Sequence, residues 1–149
     1  MALTGKRVAK VKIESDSHLF LELWKSKQHE VSSMSPTTYR NCQRHEDTVE
    51  TVGCLHSWNY CLDGKESFAK TIIIDEDENS ITYKILEGDL MELYKTFVVN
   101  IHVETQGSQN LVTWTIEYEK LNSTVPDPNT VVDFYTKATK DIETHHLQK

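Results

Sequence analysis

The residues best able to do chemistry lie two apart along one segment: Cys54, His56, Trp58 and Tyr60. In an extended strand successive side chains alternate between faces, so these four project to one side. Imidazole both gives and takes protons near neutral pH. A phenol in a water-poor site can hold a carbonyl or enolate oxygen by hydrogen bonding. His56 is therefore the candidate general acid–base of a cofactor-independent enzyme, with Tyr60, Tyr83 or Tyr118 as the group that holds the oxygen. The plainer and commoner role is a core histidine hydrogen-bonded to one of those tyrosines. A β-bulge near Gly53 would turn His56 outward instead.

Other reactive groups carry less. Cys42, Cys54 and Cys61 are odd in number and fit no zinc spacing, and His145-His146 has no carboxylate at ligand spacing. No metal and no cofactor is expected. Cys54 and Cys61 are roughly 23 Å apart at strand rise and cannot bridge. Cys42 and Cys54 are equidistant from residue 48, which predicts cross-strand neighbours, both reduced as cytosolic thiols are.

These groups need a scaffold, and 149 residues suffice for one domain spanning 1–149. The net charge of −7, from 16 basic and 23 acidic residues, argues against nucleic acid, whose phosphates demand Lys and Arg. No polybasic patch or membrane-length apolar run is present, and the first residues do not read as a signal peptide. A cytoplasmic protein, monomeric or weakly dimeric, is expected.

Residues 6–14 read as a first strand. Ser15, Asp16 and Ser17 offer helix caps before an amphipathic stretch in which Leu19, Leu23 and either Phe20 or Trp24 share a face. A second short helix is expected over residues 27–33. Period-two alternation then predicts strands over 37–45, 52–62, 68–74, 80–87, 96–104 and 111–119. From residue 129 the period lengthens: Val131, Tyr135, Ala138 and Ile142 recur at helical spacing to residue 147. A bent antiparallel sheet gripping this amphipathic helix, an α+β architecture, buries both apolar surfaces.

The order of elements and several runs resemble the major latex proteins, in the superfamily of the major birch-pollen allergen. The runs are Gly53-Cys54-Leu55-His56-Ser57-Trp58-Asn59-Tyr60, Leu62-Asp63-Gly64-Lys65, Leu86-Glu87-Gly88-Asp89, Trp114-Thr115-Ile116-Glu117-Tyr118-Glu119-Lys120-Leu121 and Thr139-Lys140-Asp141-Ile142. The resemblance implies a seven-stranded helix-grip (START-like) fold, a plant source, and a hollow core for a small hydrophobic metabolite. Alternation and helical spacing place His56, Trp58, Tyr60, Tyr83, Ile85, Phe97, Val99, Ile101, Trp114, Ile116, Tyr118, Tyr135, Ala138 and Ile142 on its inner face. So many tyrosines, whose hydroxyls need partners when buried, point to a cavity rather than a dry core.

The chain departs from relatives at the loop over residues 45–53, where glycines usually form a phosphate-like cradle. Here Glu46, Asp47 and Glu50 stand beside a single glycine, Gly53, which speaks against nucleotides and suits a gate at the cavity mouth. The Tyr-x-Glu pair of Pictet–Spengler condensing enzymes aligns with Ala69-Lys70-Thr71, so that chemistry is not expected. The gate and latch sequences of the abscisic acid receptors are also missing. Two readings remain: a binding protein in specialised metabolism or defence, or an isomerase or cyclase acting on a terpenoid or alkaloid intermediate. A third, a protein with no specific small molecule, applies if side chains fill the cavity.

Overall fold

The computed structural model describes residues 3–45 and 51–148. The proposed gate loop therefore falls largely outside the described residues. The chain runs β1 (Thr4–Ile13), α1 (Ser17–Lys25), a 3-10 turn (Gln28–Glu30), α2 (Val31–Met34), then β2 (Tyr39–Arg44), β3 (Leu55–Leu62), β4 (Lys65–Asp77), β5 (Ser80–Gly88), β6 (Tyr94–Gln106), β7 (Gln109–Lys120) and α3 (Asn129–Leu147). The seven strands form one antiparallel sheet in the order β1-β7-β6-β5-β4-β3-β2, the α+β helix-grip architecture that the patterning predicts.

Alternation decides which face of each strand is buried. In β1, Ala9, Val11 and Ile13 face inward and Val8 outward. In β6, Phe97, Val99, Ile101 and Val103 are buried, and in β7 Val112, Trp114, Ile116 and Tyr118 oppose them. Asp16 caps α1, its carboxylate accepting from the His18 amide at 2.7 Å. The buried face of α1 is Phe20, Leu21, Leu23 and Trp24. Leu19, expected on that face, is instead exposed. Both aromatics turn inward because Trp24 packs against rings from β2, β3 and β7.

One register expectation fails. Cys42 lies opposite Trp58, not Cys54, and Arg44 lies opposite His56. This register holds unbroken from Asn41 to Arg44, and a β-bulge interrupts it only beyond that stretch, between Tyr39 and Asn41. Among the described residues, none of Cys42, Cys54 and Cys61 is joined in a disulfide.

Gly88 explains its place in the matched run Leu86-Glu87-Gly88-Asp89. Its φ is 126°, and a Cβ there would sit 2.0 Å from the Phe68 carbonyl oxygen on the neighbouring strand. Only glycine allows this approach. The adjacent Asp89 carboxylate then accepts from the Phe68 amide at 2.8 Å, tying the end of β5 to β4.

Helix α3 lays Val131, Phe134, Tyr135, Ala138, Thr139 and Ile142 onto the sheet. Its far end is tied by the Glu143 carboxylate, which accepts from the Ser15 hydroxyl and the amides of Glu14 and Ser15. Two residues earlier, Asp141 accepts from the Ser35 hydroxyl at 2.7 Å, joining the α2–β2 connection to the helix.

Candidate ligand cavity

Between the sheet and α3 lies an internal cavity of about 60 Å³, enough for the centres of a few water molecules. Its wall is Trp24, Tyr39, Trp58, Tyr60, Leu62, Ala69, Thr71, Tyr83, Ile85, Leu90, Val99, Ile101, Trp114, Val131, Phe134 and Tyr135. None of these carries a charge. The space is small because the rings close on one another. Trp24 contacts Tyr39, Trp58 and Trp114 at centroid separations of 5.8, 5.9 and 5.2 Å. Phe134 meets Tyr39 at 5.0 Å and Tyr60 at 5.5 Å, in the edge-on geometry aromatic quadrupoles favour.

Of the residues placed inside by sequence, Trp58, Tyr60, Tyr83, Ile85, Val99, Ile101, Trp114 and Tyr135 stand in this wall. His56, Phe97, Ile116, Tyr118, Ala138 and Ile142 are buried but stand outside it. Phe97 packs on Tyr94, whose ring also meets Tyr118. The Tyr118 hydroxyl donates to Asp127 at 2.8 Å, at the edge of the fold. Asp127 also pairs with Lys120 and Arg7, and the hydrogen bonds from Lys120 and Tyr118, with the charge of Arg7, hold its carboxyl below the usual range.

Sequence reasoning missed Trp24, Tyr39, Leu62, Ala69, Thr71, Leu90, Val131 and Phe134 in the wall, although Val131 was placed on the inner stripe of the helix. Phe134 had a signal, standing three residues after Val131 and beside Tyr135. Ala69 and Thr71 alternate with the exposed Phe68. Leu62 and Phe134 also line a surface groove between the β3–β4 turn and α3, so they form the partition between cavity and solvent.

Most polar atoms near the cavity are already engaged. The Trp58 indole donates to the Thr71 hydroxyl at 3.0 Å, and the Trp114 indole to the Thr139 hydroxyl at 2.8 Å. The Tyr83 hydroxyl donates to the Trp24 carbonyl and accepts from the Gln28 amide at 3.3 Å. Three groups have no such partner: the Trp24 indole N–H, the Tyr60 hydroxyl and both ring nitrogens of His56. Burial, reinforced by Arg44 and His45, pushes the His56 imidazole down to about 4. Burial also raises the phenols of Tyr39, Tyr60, Tyr83 and Tyr135, so the wall stays neutral at physiological pH. Among the described residues no cluster of three or more His, Cys, Asp or Glu is placed to hold a metal ion.

This fold and cavity have relatives. The profile of the pathogenesis-related protein Bet v 1 family matches residues 2–149. The chain belongs to the Bet v 1 family. Within the Bet v 1 family it is similar to the major latex proteins. The crystal structure of ginseng major latex-like protein 151 from Panax ginseng superposes with a TM-score of 0.94 at 43% identity, covering 98% of this chain and 99% of that one. MLP-like protein 34 of Arabidopsis thaliana is 38% identical over 141 residues, 92% of this chain but 45% of its own length. The chain thus spans about half of that relative, and likewise 45% of MLP-like protein 28 of the same plant. Major latex protein 146 of Papaver somniferum is 31% identical over 146 residues, covering 96% of this chain and 91% of that one.

Proposed function

We propose that this protein takes up one small hydrophobic metabolite in the cavity under α3 and holds it unchanged. The observation that carries this reading is a wall of apolar and aromatic side chains with no charged group, the composition of a small-molecule site. The cavity of about 60 Å³ is far smaller than a metabolite's usual pocket of roughly 300–1,000 Å³. Uptake therefore moves wall side chains, and Phe134 and Leu62 are the ones that also line the surface groove. The isomerase or cyclase reading is less favoured, because His56 lies outside the wall and burial keeps it from accepting a proton near neutral pH.

The setting we propose is the cytoplasm of a plant cell, in defence or specialised metabolism. Its support is the family's pathogenesis-related description and the plant sources of the similar chains. No helix among the described residues is long and apolar enough to cross a membrane. Fluorescence titration with an uncharged hydrophobic dye tests uptake. One saturable site per chain, with quenching of the tryptophans, supports it. No saturable binding, with the fold intact, overturns it.

A further inference from the structure

We infer that the cavity selects uncharged, flat, ring-bearing ligands that offer a carbonyl or hydroxyl oxygen to the Tyr60 hydroxyl or the Trp24 indole N–H, and that it rejects carboxylates. The inference rests on the uptake reading above and adds a ligand class to it.

Three observations carry it. The first is the wall's charge. A carboxylate entering this space would lose its water without meeting a cation, a cost of orders of magnitude in affinity. The negative charge of Asp89 acts on the Tyr60 phenol and would repel an anion further.

The second is the pair of unpartnered donors. Trp24 is 2% exposed and Tyr60 6%, yet neither polar atom has a hydrogen-bond partner among the described residues. Buried polar groups are rarely left so, and an orphaned donor in a pocket wall favours a ligand that brings an acceptor. The other polar groups nearby are satisfied by Thr71, Thr139, Gln28 and the Trp24 carbonyl. The selecting contacts thus fall to these two residues. Indole is a donor only, and burial keeps the Tyr60 phenol protonated, so both offer hydrogens.

The third is shape. Apart from the stacked Trp114–Tyr135 pair at 4.3 Å, the rings that surround the space meet edge-on or tilted, with centroids 5.0–6.2 Å apart, and a flat ring can replace one of them at the same spacing.

The test compares three naphthalenes of one size: 2-acetylnaphthalene, 2-ethylnaphthalene and 2-naphthoate. Tryptophan quenching follows binding to the wild-type chain, Tyr60→Phe and Trp24→Phe, with circular dichroism confirming each fold. The ketone should bind at least about tenfold more tightly than the naphthoate. Its advantage over the hydrocarbon should shrink about fivefold, the size of one neutral hydrogen bond, in Tyr60→Phe or Trp24→Phe. Naphthoate binding as tightly as the ketone overturns the charge selection. A ketone-to-hydrocarbon ratio unchanged in both variants overturns the donor assignment. In each of those cases uptake itself stands; if none of the three binds the wild-type chain, uptake fails with it.

Discussion

Trp114 of β7 stacks on Tyr135 of α3 with ring centroids 4.3 Å apart and planes 11° from parallel. One helical turn further on, the Thr139 hydroxyl accepts from the Trp114 indole at 2.8 Å while donating to the Tyr135 carbonyl at 2.8 Å. One tryptophan thus fixes both the height and the rotation of α3 over the sheet. Thr139→Val keeps the shape but leaves a fully buried indole N–H without an acceptor, which costs about 1–3 kcal/mol. Urea unfolding should show a lower midpoint at unchanged slope. A midpoint equal to wild type would mean that the stack alone positions the helix.

His56 gives the protein an acid-sensitive point. Its imidazole is 2% exposed, without a hydrogen-bond partner, and pushed from 6.5 to about 4. Above pH 6.5 it is neutral in both folded and unfolded chains and contributes no pH dependence. Between pH 6.5 and 4 the unfolded chain binds a proton that the folded chain refuses, so stability falls as pH falls, by roughly 3 kcal/mol in all. His56→Leu removes that slope. Carboxylates titrate in the same window, so the difference between wild type and variant is the quantity to follow. The variant should gain on wild type steadily from pH 7 to pH 4.5; parallel curves would show that His56 is solvated in the native state.

Gly88→Ala should be among the more damaging single-methyl additions in the chain. The added Cβ meets backbone, the Phe68 carbonyl oxygen at 2.0 Å, at a φ of 126° that side chains rarely adopt. A loss of at least about 1–3 kcal/mol is expected in thermal or urea unfolding. Gly64→Ala, whose Cβ meets nothing within 4 Å, is the control for positive φ alone and should cost less. Equal losses would place the whole effect in φ and none in the strand contact.

Strand and helix periodicity made the sheet, its inner face and α3 legible before any coordinates. Alternation is a two-valued signal, however, and says which face a residue is on rather than how far along the sheet it lies. Ile116 and Tyr118 share the inner face with Trp114, yet only Trp114 reaches the cavity; Tyr118 comes out by Asp127. Ala138 is likewise on the inner stripe but fully buried away from the cavity, so Ala138→Phe should overpack the core rather than plug a hollow. Tyr39 escaped notice because β2 is mostly exposed and does not alternate cleanly. The Cys42 register was missed because it depends on where β2 ends and β3 begins, which no residue type announces.

The thiols follow from burial. Cys42 is half-buried against the core, and loss of solvent pushes it up to about 12. At pH 8 almost none of it is thiolate, the reactive form. Denatured protein should titrate three free thiols without reductant, while in the native protein Cys42 reacts only as fast as the fold opens. Rapid native labelling of Cys42, located by peptide mapping, would contradict the packing of β2 on the sheet.

The proposed occupant of the hollow under α3 is a small uncharged molecule. Native mass spectrometry of the protein taken from its natural source reads this directly. A population heavier than the bare chain by one small apolar compound is expected, a compound that organic extraction releases unchanged and that carries no carboxylate. A single mass equal to the bare chain, in protein that also fails to take up 2-acetylnaphthalene, would contradict it and leave the aromatic cluster as an ordinary core.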